Sequence, residues 1–170
     1  KYHIALGAYK RSGRNLLFPS ETIGKSIIGF YTFIDSSWTF SGVDSLRRIN
    51  SGIIRGYAYH NKLDSFFKSN PSLVTLAHGS NALERSFKSL IRGDVGNVVG
   101  DINVLNEKAR QLNLIQKVRM AGNLKSSEDL YLAVSEAHPN ARRLTKIISK
   151  GIVTLRKTAR LKEILSKYGV

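Results

Sequence analysis

Residues 51–69 read SGIIRGYAYHNKLDSFFKS, and the fold class turns on this stretch. Around Gly52 to Arg55 the apolar run is short and β-branched, which predicts a strand. Gly56 interrupts it. From Tyr59 to Ser69, Leu63, Phe66 and Phe67 recur at helical spacing, so a helix is expected there. A strand that passes through a glycine turn into a helix is the repeating unit of an α/β protein. Such a turn also exposes backbone N–H groups at the helix start, which suits a carboxylate or a phosphate.

The same alternation continues downstream. Leu73 to Leu76 reads as a short strand, and Asn81 to Arg92 as a helix with Leu83, Phe87, Leu90 and Ile91 on one face. Val95 to Val99 is a glycine-punctuated strand, followed by a helix from Asn103 to Leu112. This pattern predicts a mostly parallel, doubly wound sheet. Gly56 and the Gly100-Asp101 pair then both fall at carboxyl ends of parallel strands, where open α/β sheets bind ligands. An anion cradle beside an acidic residue is what a zwitterion requires.

Upstream, Ile4 to Tyr9 and Ile27 to Phe33 read as strands separated by the loop KRSGRNLLFPSE, with a polar link at residues 35–48. Beyond Leu114 a mixed stretch leads to a strand at Leu130 to Ser135. Pro139 suits the first turn of a helix. That helix, Ala141 to Leu155, carries Leu144, Ile147, Ile148, Ile152 and Leu155 on one face. The last helix repeats the pattern with Leu161, Ile164, Leu165 and Tyr168, and Gly169 is a fair stop.

At 170 residues, with 42% hydrophobic and 23% charged, the chain has enough apolar material for one domain or two small lobes. Its longest apolar run, Ile27 to Phe33, is far too short to span a bilayer. Cysteine is absent, which excludes disulfides, thiolate nucleophiles and cysteine-ligated zinc. The chain starts at Lys1 without a methionine and reads as a processed chain or a fragment. His3, His60, His78 and His138 are scattered, so no metal site and no cofactor is expected. No nucleophile elbow, dinucleotide fingerprint or Walker loop is present, and no acid/base constellation announces catalysis.

The net charge of +15 admits nucleic acid, anionic lipid or an acidic solute as a partner. Over residues 139–170 there are nine basic residues against Glu163 alone. Phosphate contact is one reading of them. The other is a solvated face on two amphipathic helices, and the lack of any recognition-helix or RNA-binding aromatic signature favours it.

Three segments together resemble the family 3 periplasmic solute-binding proteins of polar amino-acid ABC transporters. SLRRINSGIIRGYAYHNKLDSF (residues 45–66) looks like that family's crossing from lobe 1 to lobe 2. ALERSFKSLIRGDVGNVVGD (82–101) looks like its ALxxLxxGRVDAVIGD segment, with Asp94 where arginine is usual and Gly96 where aspartate is usual. DLYLAVSEAHPNARRLTKIISKGIVTLRKTARLKEILSKYG (129–169) is similar to its closing block, down to the "HP" and the terminal "LKKILxKYG".

The resemblance implies an α/β, periplasmic-binding-protein-like type II fold with two lobes, lobe 2 complete and lobe 1 partial. Partial lobe 1 with the first hinge crossing would occupy residues 1–50, lobe 2 residues 51–125, and the return to lobe 1 with the C-terminal helices residues 126–170. The hinges would lie near 46–52 and 124–130. It further implies a non-enzymatic, periplasmic protein that holds a small solute, a polar amino acid, in an interlobe cleft for ABC transporter membrane subunits. Asp101 would accept the α-ammonium. Tyr57, Ala58 and Tyr59 would present backbone amides, and a hydroxyl, to the α-carboxylate. Arg14 or Arg11, helped by Ser12, would clamp that carboxylate from lobe 1, since a guanidinium meets a carboxylate bidentately. The family's opening strand–helix–strand units have no counterpart in the sequence, which leaves homo-oligomerisation or strand exchange open. The alternatives are a basic nucleic-acid binder using the C-terminal helices, and a degenerate fragment that binds no solute.

Overall fold

The computed structural model describes residues 3–10 and 15–166. The chain opens with β1 (Ile4–Tyr9), β2 (Leu16–Leu17) and β3 (Gly24–Ser26). At Ser26–Ile27 it leaves one compact unit and enters another, Ile27–Ser126, before returning to the first for Ser127–Val170.

The inserted unit contains β4 (Ile28–Phe33), a 3-10 helix (Val43–Arg48), β5 (Ser51–Ile54), α1 (Asn61–Ser69), β6 (Val74–Ala77), α2 (Ala82–Arg92), β7 (Asn97–Asp101), α3 (Ile102–Gln111) and β8 (Val118–Asn123). Its five strands are ordered β6-β5-β7-β4-β8. Because side chains alternate across a strand, neighbours in sequence serve opposite faces. Phe30 and Val99 join Leu63, Phe66, Phe67 and Leu46 in one core layer. Tyr31 and Val98 join Phe87, Leu90 and Leu105 in the other. The apolar stripes expected on α1 and α2 are therefore the two covers of one sheet.

Three expectations change here. The sheet is mixed: β5 runs parallel to β6 and β7, but β4 runs antiparallel to β7 and β8. The first crossing lies at Ser26–Ile27 instead of residues 46–52, because β4 is hydrogen-bonded between β7 and β8 and contributes Phe30, fully buried, to this unit's core. The stretch 35–48 is also more than a polar link. Phe40 stacks on Phe30 with centroids 4.0 Å apart, Leu46 is fully buried, and the Trp38 indole N–H donates to the Ser45 carbonyl at 3.2 Å. Arg119, on β8, donates to the carbonyls of Ser36 and Trp38 and holds the stretch down.

The other unit is completed by β9 (Glu128–Ser135), α4 (Ala141–Lys157) and α5 (Arg160–Ser166). β9 is its centre: β1, β2 and β3 all pair with it, each antiparallel. Tyr131, Ala133 and Val134 of β9, Ala8 of β1 and Ile152 of α4 are buried. Arg156 reaches from α4 to Glu21, at 2.6 Å, and to the Thr22 carbonyl, at 2.6 Å, fastening the loop before β3. The apolar stripe expected on the last helix buries little: no residue of α5 is buried, Tyr168 and Gly169 lie outside the described residues, and Ile147 on α4 is 53% exposed. Ile4 and Leu6 on β1 are exposed as well. No helix among the described residues is long and apolar enough to cross a membrane.

Candidate functional site

β5 and β7 lie side by side and parallel, with Ser51 opposite Asn97 and Gly52 opposite Val98. The turn after β5 and the residue that ends β7 therefore emerge at the same end of the sheet. That end holds four of the residues singled out from sequence: Tyr57, Ala58, Tyr59 and Asp101.

The turn is built tightly. Gly56 has φ of 80°, a left-handed value that a side chain would strain, and it lets Tyr57 N–H donate back to the Ile54 carbonyl at 3.2 Å. Tyr59 is buried, and its hydroxyl oxygen accepts the Ile54 N–H at 2.7 Å. Its own N–H donates to Asp64 Oδ1 at 3.0 Å. His60 then caps α1, its Nδ1 accepting the Lys62 N–H at 3.3 Å.

The expectation that Tyr57, Ala58 and Tyr59 all offer backbone amides is thus corrected. The Tyr57 amide closes the turn, and the amide of buried Tyr59 is taken by Asp64, since a buried N–H left unpaired is costly. Ala58 alone of the three has an amide without a partner among the described residues. Tyr57 instead offers its side chain, 65% exposed. A cavity of about 400 Å³ adjoins the turn, lined by Tyr57, Tyr59, Asp64, Phe67 and Lys68 among others. Asp64 is a residue that the sequence reading passed over. The available signal was an acid in the first turn of a helix that directly follows a glycine turn.

Asp101 stands where β7 passes into α3. Its Oδ1 accepts the N–H groups of Asn103, at 2.9 Å, and Val104, at 3.2 Å, the geometry of a helix N-cap. These amides fix the carboxylate's orientation at the sheet end. Arg11, Ser12 and Arg14 lie outside the described residues.

Both departures within residues 82–101 have local partners. Asp94 receives Arg92 at 2.6 Å. Gly96 is packed so closely that a Cβ there would sit 2.2 Å from Ile49 Cγ1. Among the described residues, no group of three or more histidine or carboxylate side chains is placed to hold a metal ion.

No family model and no curated protein matches the chain. Solved structures do. A histidine kinase sensor domain with similarity to periplasmic binding proteins aligns over 98% of this chain and 69% of its own, with TM-score 0.80 and 17% identity. A mutant of the arginine-binding protein of T. maritima aligns over 95% and 66%, with TM-score 0.76 and 15% identity. An ancestral arginine-binding protein bound to arginine aligns over 98% and 71%, with TM-score 0.76 and 16% identity. At such identities the likeness is one of fold: the chain has a periplasmic-binding-protein-like α/β fold, and spans 66–71% of the length of these three solved chains.

Proposed function

We propose that the chain is a solute-binding protein that takes a small polar amino acid and delivers it to ABC transporter membrane subunits on the periplasmic side of a membrane. The observation that carries this reading is Asp101 at the carboxyl end of β7, oriented by two backbone amides and level with the Tyr57–Tyr59 turn, in a fold shared with amino-acid-binding proteins. Asp101 takes the ammonium group. The Ala58 amide and the Tyr57 hydroxyl face the carboxylate, and Arg14 or Arg11 with Ser12 completes its clamp. The protein acts as a binder and not as a catalyst, in line with the arginine-binding proteins among its structural neighbours.

The test is a thermal-shift screen against the common amino acids, followed by calorimetry on any that stabilise. A bound ligand raises the melting temperature by mass action, so a stabilising amino acid supports the reading. A protein that melts cooperatively but is shifted by none of them overturns it.

A further inference from the structure

A groove along α4 carries an inference independent of solute binding. On one side of the groove Leu17 and Phe18, half-buried, form an apolar wall. On the other, Arg142, Lys146 and Lys150 stand one turn apart along α4, and Arg143 and Ile147 extend the same face. The cavity here is about 600 Å³, room for inserted side chains.

The floor needs no polar ligand. Thr145 donates to the Ala141 carbonyl at 2.8 Å, Ser149 donates to that of Thr145 at 3.0 Å, and Ser149 Oγ accepts the Ser20 N–H at 3.1 Å. The cations are different. Arg142, Arg143, Lys146 and Lys150 are exposed, and no ion pair joins any of them to another described residue. α4 contains no acidic residue to relieve them. Like charges at i, i+4 destabilise a helix, so this row opposes the helix that carries it.

A second copy does not fit. An isologous contact would set these cations against themselves. A heterologous contact would need an acidic patch. The chain has 12 Asp and Glu against 27 Lys and Arg, and Glu21, Glu84, Asp94, Asp129 and Glu163 already hold basic partners. A phosphate backbone or a lipid headgroup layer would meet the cationic rim and leave the recessed apolar wall wet. We propose that the α4 groove docks an acidic polypeptide segment of another protein, one whose carboxylates pair with Arg142, Lys146 and Lys150 while its apolar side chains fill the space beside Leu17 and Phe18.

Fluorescence anisotropy with a short labelled peptide of interleaved glutamate and leucine tests this on the full chain. An all-glutamate peptide of equal charge, phosphatidylglycerol vesicles and single-stranded DNA serve as comparison probes. The leucine-containing peptide is expected to bind most tightly. The pair Arg142→Glu with Lys146→Glu should weaken it about tenfold or more, whereas Lys62→Glu with Lys117→Glu, an equal charge change in the other unit, should cost less than about twofold. Ile147→Ser should weaken it without changing charge. If the double reversal on α4 perturbs the circular dichroism, the milder Arg142→Gln with Lys146→Gln replaces it. Equal binding of the all-glutamate peptide, equal losses from both charge-reversal pairs, or tighter binding of vesicles or DNA through the same residues would each overturn the proposal.

Discussion

Ile49 occupies the space in which a side chain at Gly96 would have to begin. A Cβ on residue 96 would lie 2.2 Å from Ile49 Cγ1 and 2.6 Å from its Cδ1. The Gly96 N–H donates to the Asn50 carbonyl at 2.8 Å, and its carbonyl accepts from Thr32 Oγ1 at 2.8 Å, so the backbone has little room to retreat. Gly96→Ala should therefore destabilise the chain by about 1–3 kcal/mol, as overpacking does. In an Ile49→Ala background the same change should cost much less, because the two sites share one volume. Urea denaturation of the four proteins measures the coupling; simple additivity would refute the steric account.

Tyr59→Phe keeps the buried ring against Phe67, with its centroid 6.0 Å away, and removes only the oxygen that accepts the Ile54 N–H. A buried donor is then left unpaired, so a loss of about 1–3 kcal/mol is expected in the denaturant midpoint. The turn at residues 55–59 should also exchange its amide hydrogens faster.

Asp101 separates structure from ligand binding cleanly. Asparagine caps helices as well as aspartate does, so Asp101→Asn should hold stability within about 0.5 kcal/mol, while Asp101→Ala loses roughly 1 kcal/mol. Under the proposed function, Asp101→Asn should nevertheless weaken an identified amino acid roughly 10- to 100-fold by calorimetry, through loss of a charge-assisted hydrogen bond. A variant that binds as tightly as the parent would remove Asp101 from the site.

Burial raises the Tyr31 phenol above its ordinary 10.0, against a smaller opposing pull from Arg110. Its hydroxyl donates to Asn106 Oδ1, a bond that ionisation would destroy. The protonated form is the one the folded state favours. Its stabilising contribution is accordingly complete below the ordinary tyrosine pKa and is lost as pH rises through the higher native value. In an alkaline titration followed by phenolate absorbance, one late-ionising group should vanish in Tyr31→Phe, and stability above pH 10 should fall less steeply in that variant.

Much of this architecture is legible because apolar spacing is a local signal. Leu63, Phe66 and Phe67 mark α1, and Leu83, Phe87 and Leu90 mark α2, whatever lies around them. What the sequence concealed depends on partners far along the chain. Val118–Asn123 carries only scattered apolar residues, yet it becomes β8 because β4 offers it a ladder. The stretch 35–48 looks polar, and only the meeting of Phe40 with Phe30 and of Arg119 with two carbonyls shows it to be packed. At the candidate site the positions of Asp101 and the Tyr57–Tyr59 turn could be anticipated from strand ends. The occupation of two of the three amides could not, since it rests on Asp64 and on the curl of the turn itself.

The pairing of β1 with β9 sets an order of events at the ribosome. Ile4 must find Val134, and Leu6 must find Leu132, while the whole of Ile27–Ser126 intervenes. At a synthesis rate of roughly 5–20 residues per second, β1 waits on the order of 6–26 s for β9, its one ladder partner among the described residues, to be made. The inserted unit closes its sheet within its own length and is complete before that partner emerges. During the delay the backbone N–H and C=O groups of Ile4–Tyr9 stand as an unpaired strand edge on the nascent chain, open to pairing with another chain until β9 arrives.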